Sequence, residues 1–114
     1  MWRHRRSITL VLSSCFAVWA ATAGAQDARS YYDPSEAAVR QLQTVEQYHW
    51  GKGVQNMDDR NWPLAMAEWD FILRYFPNHP RVLYMMSTTA IKGNMLDRAE
   101  EYFNIALRMY PNTA

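Results

Sequence analysis

One short pattern recurs at a fixed distance, and it restricts the fold more than any other feature of the chain. Leu73-Arg74-Tyr75-Phe76-Pro77-Asn78 is followed by Leu107-Arg108-Met109-Tyr110-Pro111-Asn112, so leucine, arginine, an aromatic, proline and asparagine return after 34 residues. The same step carries Ala65 to Ala99 and Trp69 to Phe103. A unit this short cannot enclose a core of its own, so its apolar face must be buried by stacking on a neighbour.

The apolar spacing within each unit is helical. Ala65, Trp69, Ile72, Leu73 and Phe76 fall at three- and four-residue steps and stop at Pro77. A third helix follows Asn78-His79-Pro80, with Val82, Leu83, Met86 and Ala90 on one face and Gly93-Asn94 as its stop. A fourth runs from about Leu96 to Tyr110 and is expected to bury Ala99, Phe103, Ala106 and Leu107. Upstream, Asp33-Pro34-Ser35-Glu36 reads as a helix start, with Asp33 as cap, Pro34 at the first helical position and Glu36 closing a capping box. That first helix is expected to be long, carrying Ala38, Leu42, Val45 and His49 inward and ending in the turn Asp58-Asp59-Arg60-Asn61. No stretch alternates with period two over a useful length, so the fold class is all-α, about four helices.

At these residues the chain resembles the tetratricopeptide repeat family, whose period is 34 residues. In that family each repeat is a pair of antiparallel helices, with a small residue at the close crossing, an aromatic four residues later and a proline ending the second helix. Ala65, Trp69 and Pro77 match those roles in one repeat, and Ala99, Phe103 and Pro111 in the next. The family's first-helix series falls on His49, Lys52, Gly53 and Asn56, then on Leu83, Met86, Ser87 and Ala90; the small residues Gly53 and Ser87 hold their places. The resemblance implies an α-solenoid of two repeats, approximately 46–79 and 80–113, inside a helical domain spanning 33–114. It also implies a concave groove lined by Trp50, Val54, Tyr84 and Thr88, where a polypeptide would bind. Trp50 and Tyr84 occupy the place of the basic and asparagine residues with which some members clamp a terminal carboxylate, so this groove is expected to prefer apolar or aromatic ligand side chains. Arrays of this family commonly follow their last repeat with a polar capping helix; none follows Pro111 in this sequence, and an uncapped apolar face is expected there.

The N-terminus carries a different kind of signal. Arg3, His4, Arg5 and Arg6 precede an apolar run from Ile8 to Ala21 and the small residues Ala23-Gly24-Ala25. That order is a secretory signal peptide over 1–25, cut after Ala25, with export to the bacterial periplasm as the expected destination. The apolar run falls short of the about 20 residues a membrane span needs. Two alternatives share the segment: Arg5-Arg6 as a twin-arginine signal, and lipidation at Cys15 in Leu12-Ser13-Ser14-Cys15. Residues 26–32 read as a flexible leader.

Removal of 1–25 leaves nine basic and eleven acidic residues, a formal charge of −2. A domain without a cationic excess is not expected to bind nucleic acid or to insert into a membrane. The one cysteine leaves with the signal, so no disulfide is expected.

Residue patterns for catalysis are missing as well. His49 and His79 have no second histidine or carboxylate pair at a metal-ligand spacing, so His49 is expected to pack and His79 to sit in a turn. No G-x-S-x-G, H-E-x-x-H or phosphate loop occurs, and Gly51-Lys52-Gly53 lies within a helical pattern. Asp58-Asp59 and Glu100-Glu101 read as a turn and a solvated helix face. The expectation is a non-enzymatic adaptor for a protein or peptide, without cofactor or metal. Two alternatives are a self-assembling homo-oligomer using the uncapped last helix, and an accessory subunit of a cell-envelope enzyme.

Overall fold

The computed structural model describes residues 28–113. Four helices follow one another: α1 (Glu36–Asp58), α2 (Trp62–Tyr75), α3 (Pro80–Gly93) and α4 (Leu96–Met109). Each packs on its neighbour in sequence, and the described residues form no strand. The all-α reading holds, and every helix ends within a residue or two of the expected position. The signal-peptide segment 1–25, the cut after Ala25 and Cys15 lie outside the described residues.

Short-range chemistry sets the boundaries. Helix α1 is capped by Ser35 rather than Asp33: Ser35 Oγ accepts the Ala38 amide at 3.2 Å, while Asp33 Oδ1 accepts the Ser35 amide at 2.9 Å. Asp33 therefore makes a turn one step before the helix, which leaves Pro34 outside it. Helix α2 begins with Asn61 Oδ1 accepting the Leu64 amide and with Pro63 in its first turn, where a missing N–H costs nothing. The turns between paired helices both use a left-handed residue, Arg60 at φ 58° and Asn94 at φ 56°, again 34 residues apart. Asparagine tolerates that conformation well and arginine less so. Helices α2 and α4 have bounds that also differ by 34.

The core is centred on α2 and α3. Met66, Trp69, Ile72 and Leu73 meet Val82, Leu83, Met86 and Ala90, with Val45 arriving from α1 and Ala99 and Ala106 from α4. Burying each large apolar side chain is worth about 1.5–3 kcal/mol, so these two helices carry most of the stabilisation. Trp69 sits at the centre because α1 has no side chain beneath it. A Cβ on Gly53 would fall 2.7 Å from Trp69 Cζ2.

Two expected core residues are not buried: Phe103 is 37% and Leu107 52% exposed. Helix α4 packs on α3 and touches α2 through Tyr102 and Asp70, which leaves the side that bears Phe103 and Leu107 open. Ser87, which takes the place of Gly53, carries the Cβ that Gly53 lacks. Within the second hairpin, Ala99 and Ala106 are the parts of the α4 stripe that reach the core.

Candidate functional site

The groove residues expected from the sequence lie on the first helix of each hairpin, but they do not form a uniform lining. Trp50 and Val54, on α1, are half-buried and pack against the core. The Trp50 ring lies 5.2 Å from that of Trp69, and the Arg81 guanidinium from α3 sits 4.5 Å above it. Trp50 is thus partly a core residue. Thr88 is half-buried, its hydroxyl donating to the Tyr84 carbonyl at 3.1 Å. Tyr84 is different: it stands 68% exposed in the middle of α3, one turn beyond Arg81. The structure therefore links α1 to α3 through an aromatic floor with a cation over it, and leaves one free aromatic beside that cation.

A second groove, of about 430 Å³, opens between α1 and α2, lined by Gln41, Val45, Tyr48, His49, Phe71 and Tyr75 among others. His49 is here a packing residue, as expected: its ring stacks on Phe71 at 3.8 Å between centroids, and Nδ1 lies 2.5 Å from Glu68 Oε2. Gln41 Oε1 is buried and has no hydrogen-bond partner.

The polar centre that sequence reasoning missed is the turn between α2 and α3. Asn78, fully buried, accepts the Tyr31 amide on Oδ1 at 2.7 Å and donates from Nδ2 to Ser30 Oγ at 3.0 Å and Thr113 Oγ1 at 2.9 Å. The Arg29 amide donates to the Tyr75 carbonyl at 2.8 Å. Residues 28–32 of the expected flexible leader are therefore fixed to the domain, because the Asn78 side-chain amide, in its own turn, bonds groups from two other segments, the leader and the C-terminal end; residues 26 and 27 lie outside the described residues. Its neighbour His79 is more than a turn residue. Nδ1 accepts the Val82 amide at 3.2 Å and caps α3, which puts the ring proton on Nε2, donated to Glu46 Oε1 at 2.7 Å. Burial pushes the imidazole below its ordinary titration range, against the opposing pull of Glu46. The Tyr31 ring covers it at 4.5 Å. A clue was present in the sequence, since a polar residue just before Pro80 stands where a helix cap belongs.

A half-buried link also joins the two hairpins. The Tyr102 hydroxyl donates to Asp70, whose other oxygen pairs with Arg74 at 2.7 Å. Burial, then the bond to Asp70, raises the Tyr102 hydroxyl well above the usual phenol range. Among the described residues no group of three His, Cys, Asp or Glu side chains is placed to hold a metal, and no helix is long and apolar enough to cross a membrane. The chain matches no family model, no curated protein and no solved structure.

Proposed function

We propose that the chain is an exported interaction module of tetratricopeptide type, which binds a polypeptide partner through the face bearing Trp50, Val54, Arg81, Tyr84 and Thr88. The observation that carries this reading is Tyr84: a tyrosine in the middle of a helix, more than two-thirds exposed, beside a cation already held over an indole. Rigid aromatics with few rotatable bonds and arginines are the side chains that most often dominate binding. Arg81 offers N–H donors to backbone carbonyls or carboxylates of a bound segment. Tyr84 offers it an apolar ring.

The test is capture of a partner from the native envelope with the wild type, Tyr84→Ala and Leu64→Ala. Leu64 is a comparably exposed apolar residue on α2. Loss of a dominant aromatic costs about 2 kcal/mol or more, roughly thirtyfold in affinity, with the helical signal unchanged because Tyr84 packs on little. A partner retained by Tyr84→Ala, or lost equally with Leu64→Ala, would refute the assignment. Export is read separately, from the intact mass of the secreted chain: a first residue other than Gln26 would move the cut away from Ala25.

A further inference from the structure

All five exposed large apolar side chains of the second hairpin belong to one surface. Tyr84 and Ile91 lie two turns apart on α3, and Leu96, Phe103 and Leu107 lie seven and four residues apart on α4, spacings that keep each set on one face. Each is one 34-residue step from a residue of the first hairpin: Trp50, Met57, Trp62, Trp69 and Leu73. None of those five is exposed, and α3 lies against the three tryptophans among them. Arg81 lies over Trp50, Thr89 Oγ1 accepts the Trp69 indole N–H at 3.0 Å, and Gly93 presses on Trp62, where an added Cβ would meet the Trp62 Cβ at 2.7 Å. The open surface on α3 and α4 is thus the next step of an interface the chain already makes.

We propose that this surface is the docking site for an amphipathic helix supplied by another polypeptide, laid on α3 and α4 as α3 lies on α1 and α2. Its area is sufficient. At exposures of 68, 66, 57, 37 and 52% for Tyr84, Ile91, Leu96, Phe103 and Leu107, and roughly 150–250 Å² for each large side chain, the five leave on the order of 500 Å² of apolar surface. That is near the top of what a monomer keeps open, and with a polar rim it approaches the about 800 Å² per partner of a stable interface.

The internal interface also specifies the occupant. Helix α3 meets its floor with Arg81, Val82, Met86, Thr89, Ala90 and Gly93, so the incoming helix carries a cation, two apolar residues a turn apart and then small residues where the helices cross. Opposite Phe103 it needs no hydroxyl, because phenylalanine lacks the N–H that Trp69 gives to Thr89. A second copy of this chain, stacked by the same step, would present Gln47, Tyr48, Lys52, Gln55, Asn56 and Asp59 instead. Burying Lys52 and Asn56 against Phe103 without partners is strongly unfavourable, so head-to-tail stacking is not the use of this face. The surface is distinct from Trp50 and Val54, sharing only Tyr84 at its edge, and stands whether or not those residues take a ligand.

The experiment uses the full chain with a copy of residues 81–94 appended after Ala114, which continues the 34-residue register because Ala114 falls one step from Pro80. Attachment in cis supplies an effective concentration in the millimolar range, which an isolated helix of this length needs because it is marginal in water. The control carries the same extension with the copied Val82 and Met86 positions changed to aspartate. The expected result is a rise in thermal midpoint of about 5 °C or more for the first extension and none for the control. No rise, or the same rise in both, overturns the proposal. So does a concentration-dependent dimer of the unextended chain in sedimentation that Phe103→Glu dissolves, since that would give the face to a second copy.

Discussion

Gly51→Ala and Gly53→Ala are the same chemical change two residues apart in α1, and they are expected to act in opposite directions. Both glycines are interior to the helix, where glycine is worth roughly 0.5–1 kcal/mol less than alanine. At Gly51 nothing lies within 4 Å of an added Cβ, so the full gain appears. At Gly53 the Cβ falls 2.7 Å from Trp69 Cζ2 and Cζ3. The ring has nowhere to retreat: it is fully buried, and its N–H is held by Thr89 Oγ1 at 3.0 Å. Overpacking of this kind costs about 1–3 kcal/mol, and the rigid indole places the cost toward the upper end. After the helix gain is subtracted, Gly53→Ala should be destabilising by about 1–2 kcal/mol. In a domain of this size a kilocalorie moves the midpoint by roughly 4–8 °C. Thermal melts followed by circular dichroism should therefore rise by about 3–6 °C for Gly51→Ala and fall by about 5–10 °C for Gly53→Ala. A Gly53→Ala variant that melts at or above the wild type would show that Trp69 does not rest on the α1 backbone.

Two further predictions concern the turn before α3. Asn78→Ala removes the shared partner of Tyr31, Ser30 and Thr113 and should cost about 1–3 kcal/mol, with amide exchange at Tyr31 accelerating more than at the α2–α3 core; equal acceleration at both would mean the clasp is not local. Because burial lowers the His79 titration in the folded chain, the unfolded chain takes up its proton first, near the ordinary value of about 6.5. Stability is then fully present above that pH and falls as pH drops below it toward the folded value. The denaturant midpoint should decline over that window in the wild type and decline less in His79→Asn, which keeps a side-chain cap without a titrating ring; matching slopes would exclude His79 as the source.

Much of the helical architecture was legible along the chain because it rests on local chemistry. Pro63, Pro77 and Pro80 cannot lie in helix interiors, Gly93-Asn94 accommodates a left-handed turn, and the three- and four-residue spacing of Ala65, Trp69, Ile72 and Leu73 marks one buried stripe. The 34-residue recurrence likewise anticipated that α2 and α4 would share their bounds. The choice between Asp33 and Ser35 as the cap of α1 was not settled by residue type, since both side chains accept amides and only the backbone path selects one. What the tertiary structure alone decided is which of two equivalent residues is covered. Trp69 and Phe103 occupy the same place in the pattern, yet one is fully buried against α3 and the other stands more than a third exposed. Periodicity reports which face of a helix is apolar, whereas burial depends on what a distant segment lays against that face. The same reason hid Asn78 and His79, whose partners lie 35 or more and 33 residues away: a polar residue in a turn shows its type in the sequence, but the three segments it joins meet only once the chain has folded.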